Sequence, residues 1–289
     1  MAPLPEAAAL VVLLRTGTRP WQQYADLVER AGSALAVLEH EGGGQGRLFA
    51  AEDATADAAR DIGRWEADGV RLLTVLDSEY PENLRAVHDR PPLVFVNGRL
   101  SPADARSIAV IGARQATPAG VTVASEIAEH LVDSGYTVVS GLATGIDTAA
   151  HTAALARKGR TLAVIGTGLL RVYPPQNAAL QRRIADHGAV ISQFWPDAPP
   201  TRRTFPMRNA VMSGMTLASV LVEASHTSGS RMQARLALAH GRSVFLARSL
   251  LAQEWARELA RRPGTHVVSS PEEITATVER MASAGALRQ

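Results

Sequence analysis

The chain has 289 residues, 46% of them hydrophobic, with no cysteine and a formal net charge of +2. That length supports one large core with a small appended module, and no apolar run reaches the span of a bilayer. The absence of cysteine excludes disulfides, zinc–thiolate sites and cysteine nucleophiles and accords with a cytoplasmic protein.

The charge is unevenly spread. Residues 1–106 carry 11 Arg against 16 acidic residues, a balance of −5, whereas residues 157–208 carry 9 basic against 2 acidic, a balance of +7. The second segment has the footprint of a surface for a polyanion. Lys158 is the only lysine; arginine suits bidentate phosphate contacts and stacking on bases, although genomic base composition produces the same bias.

At the start, Ala7 to Leu14 is apolar, Gly17 to Pro20 reads as a turn, and Trp21, Tyr24, Ala25, Val28 and Ala31 recur at helical spacing before Gly32. Two short helices in a small SAM- or helix-hairpin-helix-like module are predicted; modules of this size can touch nucleic-acid backbone, but the acidic balance favours a structural or partner-contacting role. Residues 1–60 are assigned to this module and its linker, which comprises Gly42, Gly43 and Gly44 and an acidic, Ala-rich stretch to Asp61 that runs into a helix. Residues 61–289 form the second unit. There, Arg71 to Leu76 is predicted as a strand, Tyr80 to Leu84 opens a short helix, and Leu93 to Val96 is a strand ended by Asn97 and Gly98. This piece is placed at the edge of the main sheet.

The stretch from Ser107 to Asp147 organises the rest. Ile108 to Ile111 is an apolar run suited to a strand buried on both faces, and Gly112-Ala113-Arg114 breaks it. Thr117 caps a helix with Pro118 at its first position, Gly135 ends it, and Thr137 to Val139 is a second strand running into a turn containing Gly141 and Gly145. Such turns at the carboxyl ends of parallel strands line the ligand crevice of doubly wound sheets, where glycines and a following helix N-terminus accommodate phosphate. Glycine spacing supports tight strand–helix packing equally well. A G-x-G-x-x-G fingerprint is absent after the first strand, so ordinary NAD binding is not supported.

From Ile146 to Lys158 a helix is predicted, with Asp147 and His151 four residues apart on one face. They form either a structural hydrogen-bonded pair or an acid–base pair without a nucleophile at matching spacing. Further strands at Thr161–Ile165, Ala189–Ile191, Ala218–Val222, Ser243–Leu246 and His266–Val268 alternate with helices, one of them capped by Thr227 to Ser230. The alternation predicts an α/β fold: an extended Rossmann-like, mostly parallel sheet with helices on both faces, preceded by the helical module.

Several motifs coincide with one family. Tyr80-Pro81-Glu82-Asn83-Leu84, Ala109 to Arg114, Ser140-Gly141-Leu142-Ala143, Gly145-Ile146-Asp147 and Ala150-His151 occur in its order. Ala163 to Gly168, Tyr173-Pro174-Pro175, Phe205-Pro206-Met207-Arg208-Asn209, Val222-Glu223-Ala224 and Ser228-Gly229-Ser230 follow. Over roughly residues 70–247 the sequence resembles the DNA-processing protein A family (DprA, also called Smf). The resemblance implies a non-enzymatic protein that binds and protects single-stranded DNA and loads the RecA recombinase in natural transformation. It implies a homodimer and neither catalytic residue, metal nor cofactor. The phosphate-binding pocket it implies comprises Gly112, Ala113, Ser140, Gly141, Gly166 and Gly168, with Arg114 and Arg160 on phosphates and Arg208 and Asn209 nearby.

The sequence departs from the family pattern in places. Leu246-Ala247-Arg248-Ser249 stands where Ala-Val-Pro-Gly is usual, Ala210 replaces a second arginine, Arg231 replaces an apolar residue, and no winged-helix domain is expected after Met281. The family attributes dimerisation and recombinase contact to this C-terminal part. A different reading of the same crevice is a sensor or hydrolase for a nucleotide-derived small molecule, against which stands the missing Pro-Gly-Gly-x-Gly-Thr motif.

Overall fold

The computed structural model describes residues 2–42, 45–225 and 229–286. Four helices come first: α1 (Leu4–Thr16), α2 (Trp21–Ala31), α3 (Ala34–Gly42) and α4 (Gln45–Ala67). The sheet region follows as β1 (Arg71–Thr74), α5 (Glu82–Arg85), β2 (Leu93–Gly98), β3 (Ser107–Ile111), α6 (Pro118–Asp133), β4 (Thr137–Ser140), α7 (Ile146–Ala156) and β5 (Thr161–Val164). Then come α8 (Ala178–His187), β6 (Ala189–Ser192), α9 (Thr204–Met215), β7 (Ala218–Leu221), α10 (Gly229–Ala239), β8 (Ser243–Ala247), α11 (Glu254–Ala260), β9 (Thr265–Val268) and α12 (Pro271–Ala286).

All nine strands join one sheet in the order β1-β2-β6-β5-β4-β3-β7-β8-β9. The pairings from β6 through β9 are parallel, whereas β2 runs antiparallel to both β1 and β6. The expected edge placement of the 71–98 piece is therefore met. From β3 the chain winds outward through β4, β5 and β6, then returns to lay β7 on the other side of β3. That reversal beside β3 is the topological switch point at which doubly wound sheets open a crevice.

Side-chain alternation along β3 builds two cores. Ile108 and Val110 pack with Ala124, Ile127, Ala150 and Ile274, from α6, α7 and α12. Ala109 and Ile111 face the other way, among Val211 and Met212 of α9 and Ala234 and Ala237 of α10.

The N-terminal segment contains three helices before α4 where two were expected; Ala34–Gly42 is the addition. Glu6 accepts from Ser33 Oγ and from the Ala34 and Leu35 amides, so a side chain distant in sequence caps α3. Every residue from Ala7 to Leu14 is buried, as an all-round apolar helix requires, and α1 shares its core with β1 and β2. Arg90 pairs with Asp26 and Glu29, and Arg85 pairs with Glu29. The acidic surplus of this segment is thus partly spent on docking. Helix α4 carries the chain across positions 60 and 61, while Gly43, Gly44, Thr227 and Ser228 lie outside the described residues. Among the described residues no helix is long and apolar enough to cross a membrane.

Candidate nucleic-acid interface

At the switch point a cleft of about 600 Å³ opens over the carboxyl ends of β3, β4 and β7. The turn after β3 supplies Gly112, Ala113 and Arg114, α9 supplies Phe205, Arg208 and Asn209, and the start of α10 closes the far side. A smaller recess of about 60 Å³ adjoins it; it shares Arg114, Phe205 and Arg208 and adds Gly141, Gly166 and Tyr173.

The first two turns are tied together by backbone. Ile146 N–H donates to Ala113 O (3.1 Å), and Thr144 Oγ1 donates to Arg114 O (3.0 Å). Gly145 sits at φ +78°, and a Cβ there would lie 2.2 Å from Ala113 O. Only glycine meets both demands. This junction holds the Arg114 backbone at the cleft mouth. Its exposed side chain lies over the Phe205 ring, 4.9 Å from the centroid.

Arg208 lies deeper, at 6% exposure. Its Nη1 donates to Val164 O (2.9 Å), while Nε is buried with no partner. The guanidinium rests against the Gly141 backbone, where a Cβ would fall 1.6 Å from Nη1. Gly141→Ala is therefore expected to force the guanidinium from its seat and lower stability by about 1–3 kcal/mol, read as a reduced urea midpoint.

Asp147 is the charged group opposite Arg208. Burial pushes the Asp147 carboxyl up, against the opposing pull of Arg208 and of the Ala143 and Gly141 amides. Burial likewise lowers Arg208, outweighing Asp147. Both groups are shifted toward their neutral forms, so their mutual attraction does not repay the water each has lost. A further anion in the cleft would favour the Arg208 cation and meet a donor that the protein leaves unused.

The expected help from helix N-termini is not what the structure supplies. Glu223 accepts from Thr117 N–H (3.0 Å) and Thr117 Oγ1 (2.9 Å), filling the start of α6 with the protein's own carboxylate. Near α7, Asp147 accepts from Ala143 N–H (3.2 Å). An anion in this cleft would meet arginine side chains rather than these two helix ends.

The residues proposed from sequence divide accordingly. Gly112, Ala113, Arg114, Arg208 and Asn209 line the cleft, and Gly141 and Gly166 line the recess. Ser140 is fully buried, with Oγ donating to Val110 O (2.7 Å), and acts as a strut beneath the turn. Gly168 packs against the next loop, where a Cβ would sit 2.1 Å from Trp195 O; here the glycine serves packing.

Arg160 corrects the expectation most clearly. It precedes β5, at the amino end of the strand whose carboxyl end leads to Gly166, and it pairs with Asp104 through Nε (2.6 Å) and Nη2 (2.8 Å). It belongs to a structural ion pair at the opposite end of the sheet from Arg114 and Arg208. Asp147 and His151 do not form the expected hydrogen bond: His151 Nδ1 is bonded to Thr161 Oγ1 (2.7 Å), and Nε2 has no partner. Fully buried and absent from the cleft walls, His151 cannot meet a substrate there.

Sequence reasoning missed the rings. Tyr173 and Phe205 lie with centroids 5.9 Å apart at the recess, and Tyr173 is 39% exposed. Their signal lay in the Tyr-Pro-Pro and Phe-Pro motifs, whose aromatic residues carry no role in the sequence reading.

Known proteins resemble this chain in sequence and in architecture. DNA processing protein DprA of Bacillus subtilis is 33% identical over 187 residues, 64% of this chain and 63% of that protein. The X-ray structure of DNA processing protein A from Streptococcus pneumoniae superposes with a TM-score of 0.77 at 28% identity, covering 93% of this chain and 97% of that one. DNA processing protein A of Helicobacter pylori, whose structure was described for its single-stranded DNA binding mode, shares the fold at a TM-score of 0.65 and 24% identity, over 73% of this chain and 96% of that one. The chain spans between about half and two thirds of the length of the curated relatives it matches. The family described as DNA recombination-mediator protein A matches residues 71–279, bearing out the resemblance carried by the motifs, and the chain belongs to that family.

Proposed function

We propose that the cleft binds single-stranded DNA without catalysis, gripping phosphates with Arg114 and Arg208 and receiving bases on Phe205 and Tyr173. The observation that carries this reading is the buried Arg208 guanidinium, with Nε unpartnered, beside exposed Arg114 in one cleft. A cationic groove with aromatic rings at its edge suits a strand whose bases are unpaired, because every base has a π-face and stacking is worth roughly 1–3 kcal/mol per base. Guanidinium contacts to phosphate add affinity with little sequence preference. Relatives named for DNA processing support the same reading.

The proposal extends to a role in DNA processing during transformation, with a RecA-type recombinase receiving the bound strand and a homodimer as the working form. In this proposal residues 1–60 serve as the helical module and residues 61–289 as the DNA-binding unit, joined by the continuous helix α4 (Gln45–Ala67) rather than by a linker.

Anisotropy of a labelled oligonucleotide at several salt concentrations tests the cleft. Wild-type affinity is expected to fall steeply with salt. Arg114→Ala should weaken it and flatten the log–log slope by about 0.7, the share of one phosphate contact on a single strand. Arg160→Ala, at the other end of the sheet, should leave the slope unchanged. An Arg114→Ala protein that binds like wild type would remove the proposed site.

A further inference from the structure

We propose that His88, Asp89 and His240 hold one divalent transition-metal ion. Among the described residues they are the one group of three such side chains whose ligand atoms lie within 4.8 Å of one another. The proposal is independent of the DNA reading. His88 and Asp89 follow α5, one residue before Pro91-Pro92; His240 follows the last residue of α10 and precedes Gly241, which sits at φ +69°. The fold thus brings together groups 151 residues apart in sequence.

Hydrogen bonding around His240 fixes what it presents. Ser213 Oγ donates to Ala210 O (3.1 Å), so it receives the proton of His240 Nδ1 at 2.9 Å. Nε2 is left with its lone pair, and it faces Asp89 Oδ1 at 2.7 Å. Two acceptors at that distance require a cation between them, a proton or a metal. The third side chain favours the metal. The His88 ring stands at 68° to the His240 ring with centroids 5.6 Å apart, its ligand nitrogen within reach of the same point.

A tetrahedral ion about 2.0–2.1 Å from each donor spaces the donors by roughly 3.3–3.5 Å. From 2.7 Å, Nε2 and Oδ1 need part by roughly 0.6–0.8 Å, and exposed His88 is free to swing inward. Its exposure also leaves the fourth position open to water. Two imidazoles and one carboxylate are a borderline donor set that suits Zn²⁺, Co²⁺ or Ni²⁺, whereas Mg²⁺ and Ca²⁺ prefer all-oxygen shells. Ser213 is the positioning residue, orienting His240 as outer-shell partners of metal-bound histidines do.

The test uses the full chain, dialysed against chelator and titrated with ZnCl2 by calorimetry and with CoCl2 by visible absorption. Expected are one equivalent of Zn²⁺ per chain, a raised Tm, and the intense d–d bands of low-coordinate Co²⁺. His88→Ala should lose the bands and weaken Zn²⁺ binding by more than about 10-fold, and Ser213→Ala should weaken it about 10–100-fold. His187→Ala, whose exposed ring lies elsewhere, should bind like wild type. Both variants should match the wild-type circular dichroism in chelator, since His88 is exposed and Ser213→Ala removes a single oxygen. Failure of wild type to take up metal, or uptake by His88→Ala equal to wild type, would overturn the proposal and leave a proton between His240 and Asp89.

Discussion

Arg208→Met is expected to lose the proposed strand binding and stability together, because it removes the cation nearest a buried carboxylate and the donor to Val164 O. Methionine keeps much of the volume, so the loss is electrostatic rather than a cavity. Asp147, already raised by burial, would lose the one nearby cation that lowers it and would rise further. For an acid raised in the folded state, stability is fully present below its unfolded pKa and is lost as pH rises through the folded pKa. The Arg208→Met penalty is therefore smallest in acid, where Asp147 is protonated, and grows toward neutral pH. Urea unfolding at pH 5 and pH 8 reads that sign, and Asp147→Asn combined with Arg208→Met should recover much of the loss. Strand binding separates from stability at this point: the double variant refolds the cleft without its buried cation, so its affinity should stay roughly 10–150-fold below wild type, the worth of a charged hydrogen bond. Full affinity in the stabilised double variant would place Arg208 outside the contact.

What the sequence revealed depended on how local the determining physics was. The strand–turn–helix units around Ile108–Ile111 and Thr137–Val139 were legible because apolar runs, a Thr–Pro helix start and glycine stops act within a few residues. Thr117 does cap α6, with Oγ1 accepting from Gly120 N–H at 3.0 Å, and Gly135 does sit at φ +75°. Arg160 was misplaced because a charge next to a strand reads the same at either end; only the fold puts Asp104 within 2.6 Å of it. The capture of the α6 N-terminus by Glu223 was equally hidden, since the two positions are 106 residues apart. Helix α3 carries a local cap in Ser33, whose Oγ accepts from Ala36 N–H (3.1 Å), but the contribution of Glu6 from the first helix to the same end could not be read from the sequence. The glycines divide for a related reason. Gly141 and Gly168 look alike in sequence, yet one makes room for a guanidinium and the other for the carbonyls of Trp195 and Pro196.

The other large effect concerns acid. Lowering the pH from 6.5 toward 3 should remove on the order of 4–5 kcal/mol of stability through His151 alone, the difference between an ordinary histidine and one held down to about 3. Burial is the main cause, and the charge of Arg208 adds to it. The hydrogen bonds show why the proton has no place. Thr161 Oγ1 spends its hydrogen on Val138 O (2.8 Å), so it accepts from His151 Nδ1–H; a second proton would go on Nε2, which is buried without an acceptor. A histidine depressed in the folded state lends stability that is fully present above its unfolded pKa and is lost as pH falls toward the folded value. The unfolded chain takes up a proton near 6.5 that the native chain refuses. Asp147, raised rather than lowered, works in the opposite direction and softens the decline. His151→Asn keeps an N–H for Thr161 but cannot be protonated. Subtracting its urea-derived stability from that of wild type across this pH range isolates the histidine from the carboxylates, which titrate in both proteins. The difference should shift by up to 1.4 kcal/mol per pH unit between 6.5 and 3; a flat difference would mean that the native ring accepts its proton freely and that the pocket around it opens to water.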